Sequence, residues 1–362
     1  MKIVFRVDAS TQIGTGHVMR CLTLADALSE AGACCYFMYR EHEGHLGALI
    51  QQRGHHALAL PLQACKPNKT PAHSLAHAAW LGASQQEDAQ ECALLLRTLQ
   101  LDWLVVDHYA LDRVWESQLR PYCRQLMVID DLADRQHDCD LLLDQTYGRD
   151  TQDYIDWVPS HCELLCGSMN ALLRPEFAHW REYSLSRRKE ARLQNILINL
   201  GGVDKDNVTG QVLDALHSCS LPSDCTITVV MGATAPWIKE VNKQAQMMPW
   251  PTQVKVGVSN MAELMANSDL AIGAAGSTSW ERCCLGLPTI MLVLAENQEM
   301  IATRLSRQGA CTILKVDNLN TSIRHLISNF VPESLTRMTL ACLHVTDGIG
   351  AKRIIQHLGL SI

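Results

Sequence analysis

The feature that most constrains this chain is an alternation of short β-rich runs with helical patterns, which fills its first half, stops, and starts again. The runs Ile3–Val7, Cys35–Tyr39, Trp103–Asp107, Leu126–Ile129 and Asp140–Asp144 are separated by helical patterns near 17–30 and 87–98. Strand, helix, strand in this order predicts a parallel, doubly wound sheet. The stretch LLRPEFAHWREYSLSRRKEAR then interrupts the pattern, with Pro175 as a breaker followed by a run of charges, and marks a domain boundary. Beyond it the alternation resumes with strands near 196–200, 226–231, 253–256, 270–272 and 289–293. A chain of 362 residues is long for one core and suits two. The expected organisation is an α/β protein with an amino-terminal Rossmann-like domain over 1–174, a linker over 175–194 and a carboxy-terminal Rossmann-like domain over 195–362, with parallel sheets facing a central cleft. Pro61–Gln86, rich in Pro, Ala, His and polar residues, reads as a long surface loop.

Composition narrows the function classes. The formal net charge of −7 argues against a nucleic-acid or anionic-membrane surface, so any phosphate site must be local. The amino terminus MKIVFRVDAS meets charges too soon for a signal-peptide core and reads as a buried first strand. No apolar run is long enough to span a membrane. The 15 cysteines are odd in number, scattered, and never spaced C-x-x-C, which suits reduced thiols in the cytoplasm better than disulfides or zinc. Nothing in the text calls for an obligatory protein partner or a cofactor.

Ligands of open parallel sheets sit beyond the carboxyl ends of the strands, and three such loops stand out. In DASTQIGTGHVMR, residues 8–20, Gly14 and Gly16 allow a sharp turn and close approach to a ligand, and His17 opens the following helix. A histidine there is kept neutral by the helix dipole and suited to act as a base; equally, the glycines make an ordinary βα turn and His17 caps it. Met19 occupies the last glycine position of G-x-G-x-x-G, so the dinucleotide fingerprint is incomplete. In GAAGSTSWE, residues 273–281, small residues with Ser277 and Thr278 suit a diphosphate. Glu281, one turn later, is placed either to accept two ribose hydroxyls or to close a capping box. Gly201 and Gly202 in LGGVD form a third glycine turn. The acidic run 129–144 fits no metal-ligand spacing. Asp107 and His108, ending a strand, face a ligand or satisfy nearby backbone.

The stretches RVDASTQIGTGHVMRCLTLADAL, VVDHYALDRVWE, IDDLADRQHDCDLLLDQTYGR, ALLRPEF, INLGGVDKDN and GAAGSTSWERCCLGLP, in this order, resemble the UDP-2,4-diacetamido-2,4,6-trideoxy-β-L-altropyranose hydrolases of pseudaminic acid biosynthesis. The resemblance implies a GT-B glycosyltransferase fold, with the nucleotide bound mainly by the carboxy-terminal domain. It implies that His17 is the base that activates water, that Glu281 grips the ribose, and that backbone around Gly276 and Ser277 holds the phosphates. Gly14, Gly16, Arg20, Arg174, Gly201, Gly202, Thr278, Asn297 and Gln298 are the other expected substrate-binding positions, with no metal. The chain departs from the family pattern at Thr146 and Asn170, which bears on the sugar-side contacts, and the Pro61–Gln86 loop has no counterpart role. The expected activity is hydrolysis of a UDP-sugar with inversion. The alternatives are a GT-B glycosyltransferase with a hydroxyl acceptor and a non-catalytic UDP-sugar-binding protein.

Overall fold

The computed structural model describes residues 1–62, 75–295, 298–329 and 331–360. The chain divides into unit 1, Met1–Leu173 with Ile349–Ile362, and unit 2, Arg174–Gly348. Unit 1 holds seven strands among the described residues: β1 (Lys2–Val7), β2 (Cys34–Arg40), β3 (His56–Leu60), β4 (Leu101–Asp107), β5 (Cys123–Ile129), β6 (Leu141–Asp144) and β7 (Glu163–Cys166). They pair in parallel in the order β3-β2-β1-β4-β5-β6-β7. Unit 2 holds β8 (Asn195–Asn199), β9 (Thr226–Met231), β10 (Thr252–Val256), β11 (Leu270–Ala274), β12 (Thr289–Leu292) and β13 (Cys311–Leu314). These also pair in parallel, in the order β10-β9-β8-β11-β12-β13.

The central strands are mostly apolar because helices cover both faces of each sheet. Ile3, Phe5 and Val7 of β1 pack on one face against Val18, Cys21, Leu22 and Leu28 of helix Gly16–Glu30. Val4 of β1 packs on the other, with Leu104, Val106, Cys92 and Trp115. Strands β3, β7 and β13 were not expected from the sequence, and each is a sheet edge. Edge strands are only partly covered, so HALAL, ELLC and CTIL are short and mixed in burial and lack the apolar run that marks an interior strand.

Two further differences concern the domain boundary. The segment expected as a linker is mostly helix, Pro175–Arg187, with Pro175 in its first turn. Proline breaks a helix only in the interior; at the first turn its missing N–H costs nothing and its fixed φ suits the helix. The carboxy-terminal helix Gly350–His357, expected in the second domain, belongs to unit 1, where Ile354, Ile355 and Leu358 complete the core beside β1 and β4. Trp103 Nε1 donates to the Leu358 carbonyl across 3.2 Å. Of the Pro61–Gln86 loop, residues 63–74 lie outside the described residues; the remainder includes a 3₁₀ turn, Ala78–Leu81. No helix among the described residues is long and apolar enough to cross a membrane.

Candidate active site

In each sheet the strand order reverses direction once, and the loops leaving the two strands on either side of that point open a crevice. In unit 1 these strands are β1 and β4; in unit 2 they are β8 and β11. The glycine-rich loops singled out in the sequence are those that leave β1, β8 and β11.

In unit 1 the register Val7↔Asp107 brings the end of β4 beside the loop after β1. Ser10 shapes that loop: its Oγ accepts from the N–H groups of Gln12 and Ile13, and its carbonyl accepts from Gly14 N at 2.9 Å. Gly14 closes the turn at φ 81, in the left-handed region that glycine enters without strain. The helix then starts at Gly16, with no side-chain cap from Thr15. His17 is therefore held from elsewhere. Its Nδ1 lies 2.6 Å from Asp107 Oδ1, and Asp107 is fully buried while the imidazole is 11% exposed. Arg20, one turn on, donates Nε to Asp107 Oδ2 at 2.6 Å and Nη2 to Oδ1 at 2.7 Å. Burial pushes the Asp107 carboxyl up, but Arg20 and His17 outweigh it and hold the group well below the usual carboxylate range. A permanent carboxylate at Nδ1 requires the proton there, which leaves the Nε2 lone pair as the basic atom. Arg20 Nη2 also stands 3.2 Å from Nδ1, but it is spent on Asp107 and meets no lone pair on a protonated nitrogen.

Arg20 was expected to bind substrate. Its third nitrogen, Nη1, donates to Asp131 Oδ2 at 2.9 Å, so each guanidinium nitrogen meets a carboxylate within the protein and Arg20 holds Asp107 in place. Asp131 also accepts from the Tyr109 hydroxyl. The Tyr109 ring stands edge-on to His17, centroids 4.6 Å apart and planes at 86°. Asp131 and Tyr109 were not anticipated; the signal available was their position just past the ends of β5 and β4.

The neighbouring acid and histidine groups turn out to be structural. His108 is buried; its Nδ1 accepts the Ala110 N–H at 3.0 Å, so its Nε2 carries the proton and faces Asp8 Oδ2 at 3.2 Å. The acidic run 129–144 is paired with arginines: Asp130 with Arg135, Asp140 with Arg120, and Asp144 with Arg149. Burial still lifts Asp144 to about 6 against the pull of Arg149. Among the described residues no group of three or more His, Cys, Asp or Glu side chains is arranged to hold a metal ion.

In unit 2 the register Gly273↔Asn199 places the loop with Gly201 and Gly202 beside the loop with Gly276, Ser277 and Thr278. Ser277 makes no side-chain cap, and the Thr278 hydroxyl accepts from Arg282 Nη1 at 3.2 Å, so Glu281 is not the partner of a capping box. Its carboxylate, 17% exposed, has Arg174 Nη2 at 3.8 Å, while Arg174 Nη1 pairs with Glu176 at 2.7 Å. Burial lifts Glu281 to about 7, against the lowering pull of Arg174 and Arg282. Gln298 braces the loop after β12 by accepting the Leu294 N–H through Oε1 at 3.0 Å. Asn297 lies outside the described residues. Thr146 is buried and donates its backbone N–H to Asp144 Oδ1 at 2.7 Å; Asn170 donates its side-chain amide to the Cys166 carbonyl at 3.3 Å.

Comparison with known proteins agrees with this architecture. Residues 201–346 match the glycosyltransferase family 28 C-terminal domain. The UDP-2,4-diacetamido-2,4,6-trideoxy-β-L-altropyranose hydrolase of Campylobacter jejuni is 26% identical over 309 residues, 85% of this chain and 97% of that protein. The spore coat polysaccharide biosynthesis protein SpsG of Bacillus subtilis is 30% identical over 164 residues, 45% of this chain and 47% of that protein. Among solved structures, MurG of Acinetobacter baumannii superposes with a TM-score of 0.72 at 14% identity, covering 99% of both chains. The UDP-GlcNAc 2-epimerase of Neisseria meningitidis superposes with a TM-score of 0.60 at 14% identity, again over 99% of both. The fold is of the GT-B type, with two Rossmann-like units.

Proposed function

We propose that this GT-B protein, similar over most of its length to a UDP-sugar hydrolase, hydrolyses a UDP-linked 2,4-diacetamido-2,4,6-trideoxyaltropyranose to the free sugar and UDP, as a step of pseudaminic acid biosynthesis. The observation that carries the reading is the His17–Asp107 pair, at 2.6 Å, which leaves Nε2 as a base at the ligand-binding end of the unit 1 sheet. In this reading Nε2 takes a proton from water as the water oxygen bonds to the anomeric carbon. The bond from that carbon to the β-phosphate oxygen breaks with inversion, and UDP leaves with the electron pair. Asp107 stabilises the imidazolium that forms, as an acid-oriented histidine does in hydrolases generally.

The nucleotide reading belongs to unit 2. Glu281 accepts the two ribose hydroxyls, and the backbone N–H groups around Gly276, Ser277 and Thr278, with Gly201 and Gly202 alongside, hold the diphosphate. Arg174 adds positive charge there and Gln298 keeps the adjoining loop in place. The likeness to the Campylobacter jejuni enzyme over 97% of its length supports this substrate class.

The second reading is a glycosyltransferase, favoured by the name of the family matched at 201–346; His17 would then deprotonate an acceptor hydroxyl. Incubating the protein with a panel of UDP-6-deoxy-sugars, with and without EDTA, and following the anomeric proton signals by NMR tests both. Free sugar of inverted configuration without added acceptor is the expected result. Turnover only with a hydroxyl acceptor replaces hydrolase by transferase, and UDP binding with no turnover under any condition leaves a binding protein.

A further inference from the structure

Next to the His17–Asp107 pair stands a cluster that the mechanism does not use. Tyr109, edge-on to His17, is packed against Trp80, with ring centroids 5.8 Å apart and planes at 29°. His77 tilts against both, 4.4 Å from Trp80 and 5.3 Å from Tyr109. Trp80 and His77 come from the end of the Pro61–Gln86 segment, which had no role in the sequence.

That segment is anchored where it carries Trp80. The 3₁₀ turn Ala78–Leu81 is closed by Trp80 N–H donating to the His77 carbonyl at 2.9 Å. Leu81 is buried in the core with Val4, Leu60 and Leu104. Three residues later Ser84 and Glu87 form a reciprocal capping box that starts helix Gln85–Leu96. A hydrophobic plug on one side and a helix cap on the other hold the indole in one place, which a surface loop without a task does not need. The ring is half-buried, and its N–H meets no acceptor among the described residues.

A pyranose is about as broad as an aromatic side chain. The rings of His17, Tyr109 and Trp80 follow one another at 4.6 and 5.8 Å between centroids, so Trp80 lies at most two ring spacings from His17, and an N-acyl substituent on a sugar whose anomeric carbon stands before Nε2 has the reach to meet it. An aromatic face rewards methyl and C–H groups, and an indole N–H rewards a carbonyl oxygen; an N-acyl group offers both. We propose that Trp80 is a specificity-determining residue that recognises an N-acyl group of the sugar, its ring against the acyl methyl and its N–H toward the acyl carbonyl. The proposal rests on the UDP-sugar reading above and adds the residue that selects the acylated sugar.

The test compares the UDP-2,4-diacetamido-2,4,6-trideoxy sugar with its analogue lacking one acetyl group, in the wild type, Trp80→Ala and Trp80→Phe. The wild type is expected to prefer the diacetamido sugar about 10- to 200-fold in kcat/KM, the scale of one pocket contact. Trp80→Ala collapses that ratio toward one through KM, with the pH profile of kcat unchanged, and Trp80→Phe, which keeps a ring but no N–H, falls between. Equal losses on both sugars, or none, overturn the proposal, because a merely structural tryptophan does not tell them apart. If the wild type releases no sugar from any donor, the hydrolase reading fails by itself, and equilibrium binding of the same two UDP-sugars by calorimetry reads the same ratio. If Trp80→Ala does not fold, Trp80→Leu removes the ring and N–H while keeping the apolar bulk.

Discussion

Replacing Asp107 by Asn changes one atom and no volume, and it separates the proposed dyad from an incidental contact. Asp107 accepts from His17 Nδ1, from Arg20 Nε and Nη2, and at 3.4 Å from Cys21 Sγ, in a place with no exposed side-chain surface. An amide has only one oxygen for these donors. With its oxygen toward His17, its NH₂ meets Arg20 Nε–H; turned over, its NH₂ meets Arg20 Nη2–H and forces His17 into the tautomer whose Nε2 carries the proton. The first orientation leaves a buried guanidinium short of its counter-ion, and the second removes the base. Breaking a buried ion pair on one side costs about 3–5 kcal/mol, and the contact Arg20 keeps with Asp131 puts this case near about 3 kcal/mol. Turnover should fall about 10²- to 10⁴-fold, the range for losing an oriented general base. His17→Ala should fall by at least about 10²-fold with UDP affinity almost unchanged, and the double variant should be no slower than His17→Ala, because residues acting as a unit are not additive.

The stability part has a pH signature. Asp107 is depressed in the folded protein, so its contribution is complete above the unfolded value of about 3.9 and is lost only as pH falls through the lower folded value. The part of the stability difference between wild type and Asp107→Asn that comes from ionising Asp107 should thus be constant from about pH 5 to about pH 8, and any slope there reports the loss of the carboxylate that stabilises the His17 imidazolium. Initial rates of sugar release and urea titrations at both ends of that range measure the two effects. A folded Asp107→Asn protein that keeps turnover within a few-fold of wild type would sink the dyad.

Two further outcomes concern unit 2. Glu281 is lifted to about 7, so in the free protein it is largely neutral below that value, and any stability its burial favours is lost as pH rises through it. Only the ionised form accepts from both ribose hydroxyls, so uridine affinity should rise from about pH 6 to about pH 8; uridine has no phosphate to confuse the titration, and calorimetry should find the slope gone in Glu281→Gln. A Cβ on Gly232 would lie 1.9 Å from the Gly202 carbonyl oxygen, so Gly232→Ala must move the β8 loop. It should cost about 1–3 kcal/mol by thermal or urea unfolding and weaken UDP binding with it, whereas wild-type stability and affinity would refute the place given to Gly202.

Much of this protein is determined by its sequence alone. The apolar runs of the interior strands are local facts, because a strand covered on both faces is apolar at nearly every position, buried Arg6 of β1 being paired with Asp8 and Asp88. So are the turn at Gly14, the helix start within one residue of His17, and the change of pattern near residue 174. What sequence could not determine is adjacency. Nothing local says that β4 lies beside β1, yet that pairing carries Asp107 across 90 residues of chain to His17, assigns Arg20 to holding a carboxylate, and stands Tyr109 next to the pair. Three of the four edge strands, β3, β7 and β13, escaped for a related reason, since partial cover weakens the apolar signal. The final helix returned to unit 1 because its apolar face completes a core whose other residues all lie far earlier in the chain, Trp103 standing 255 positions before Leu358. Covalent neighbours set the elements, and burial of faces that lie far apart in the chain decided which of them meet.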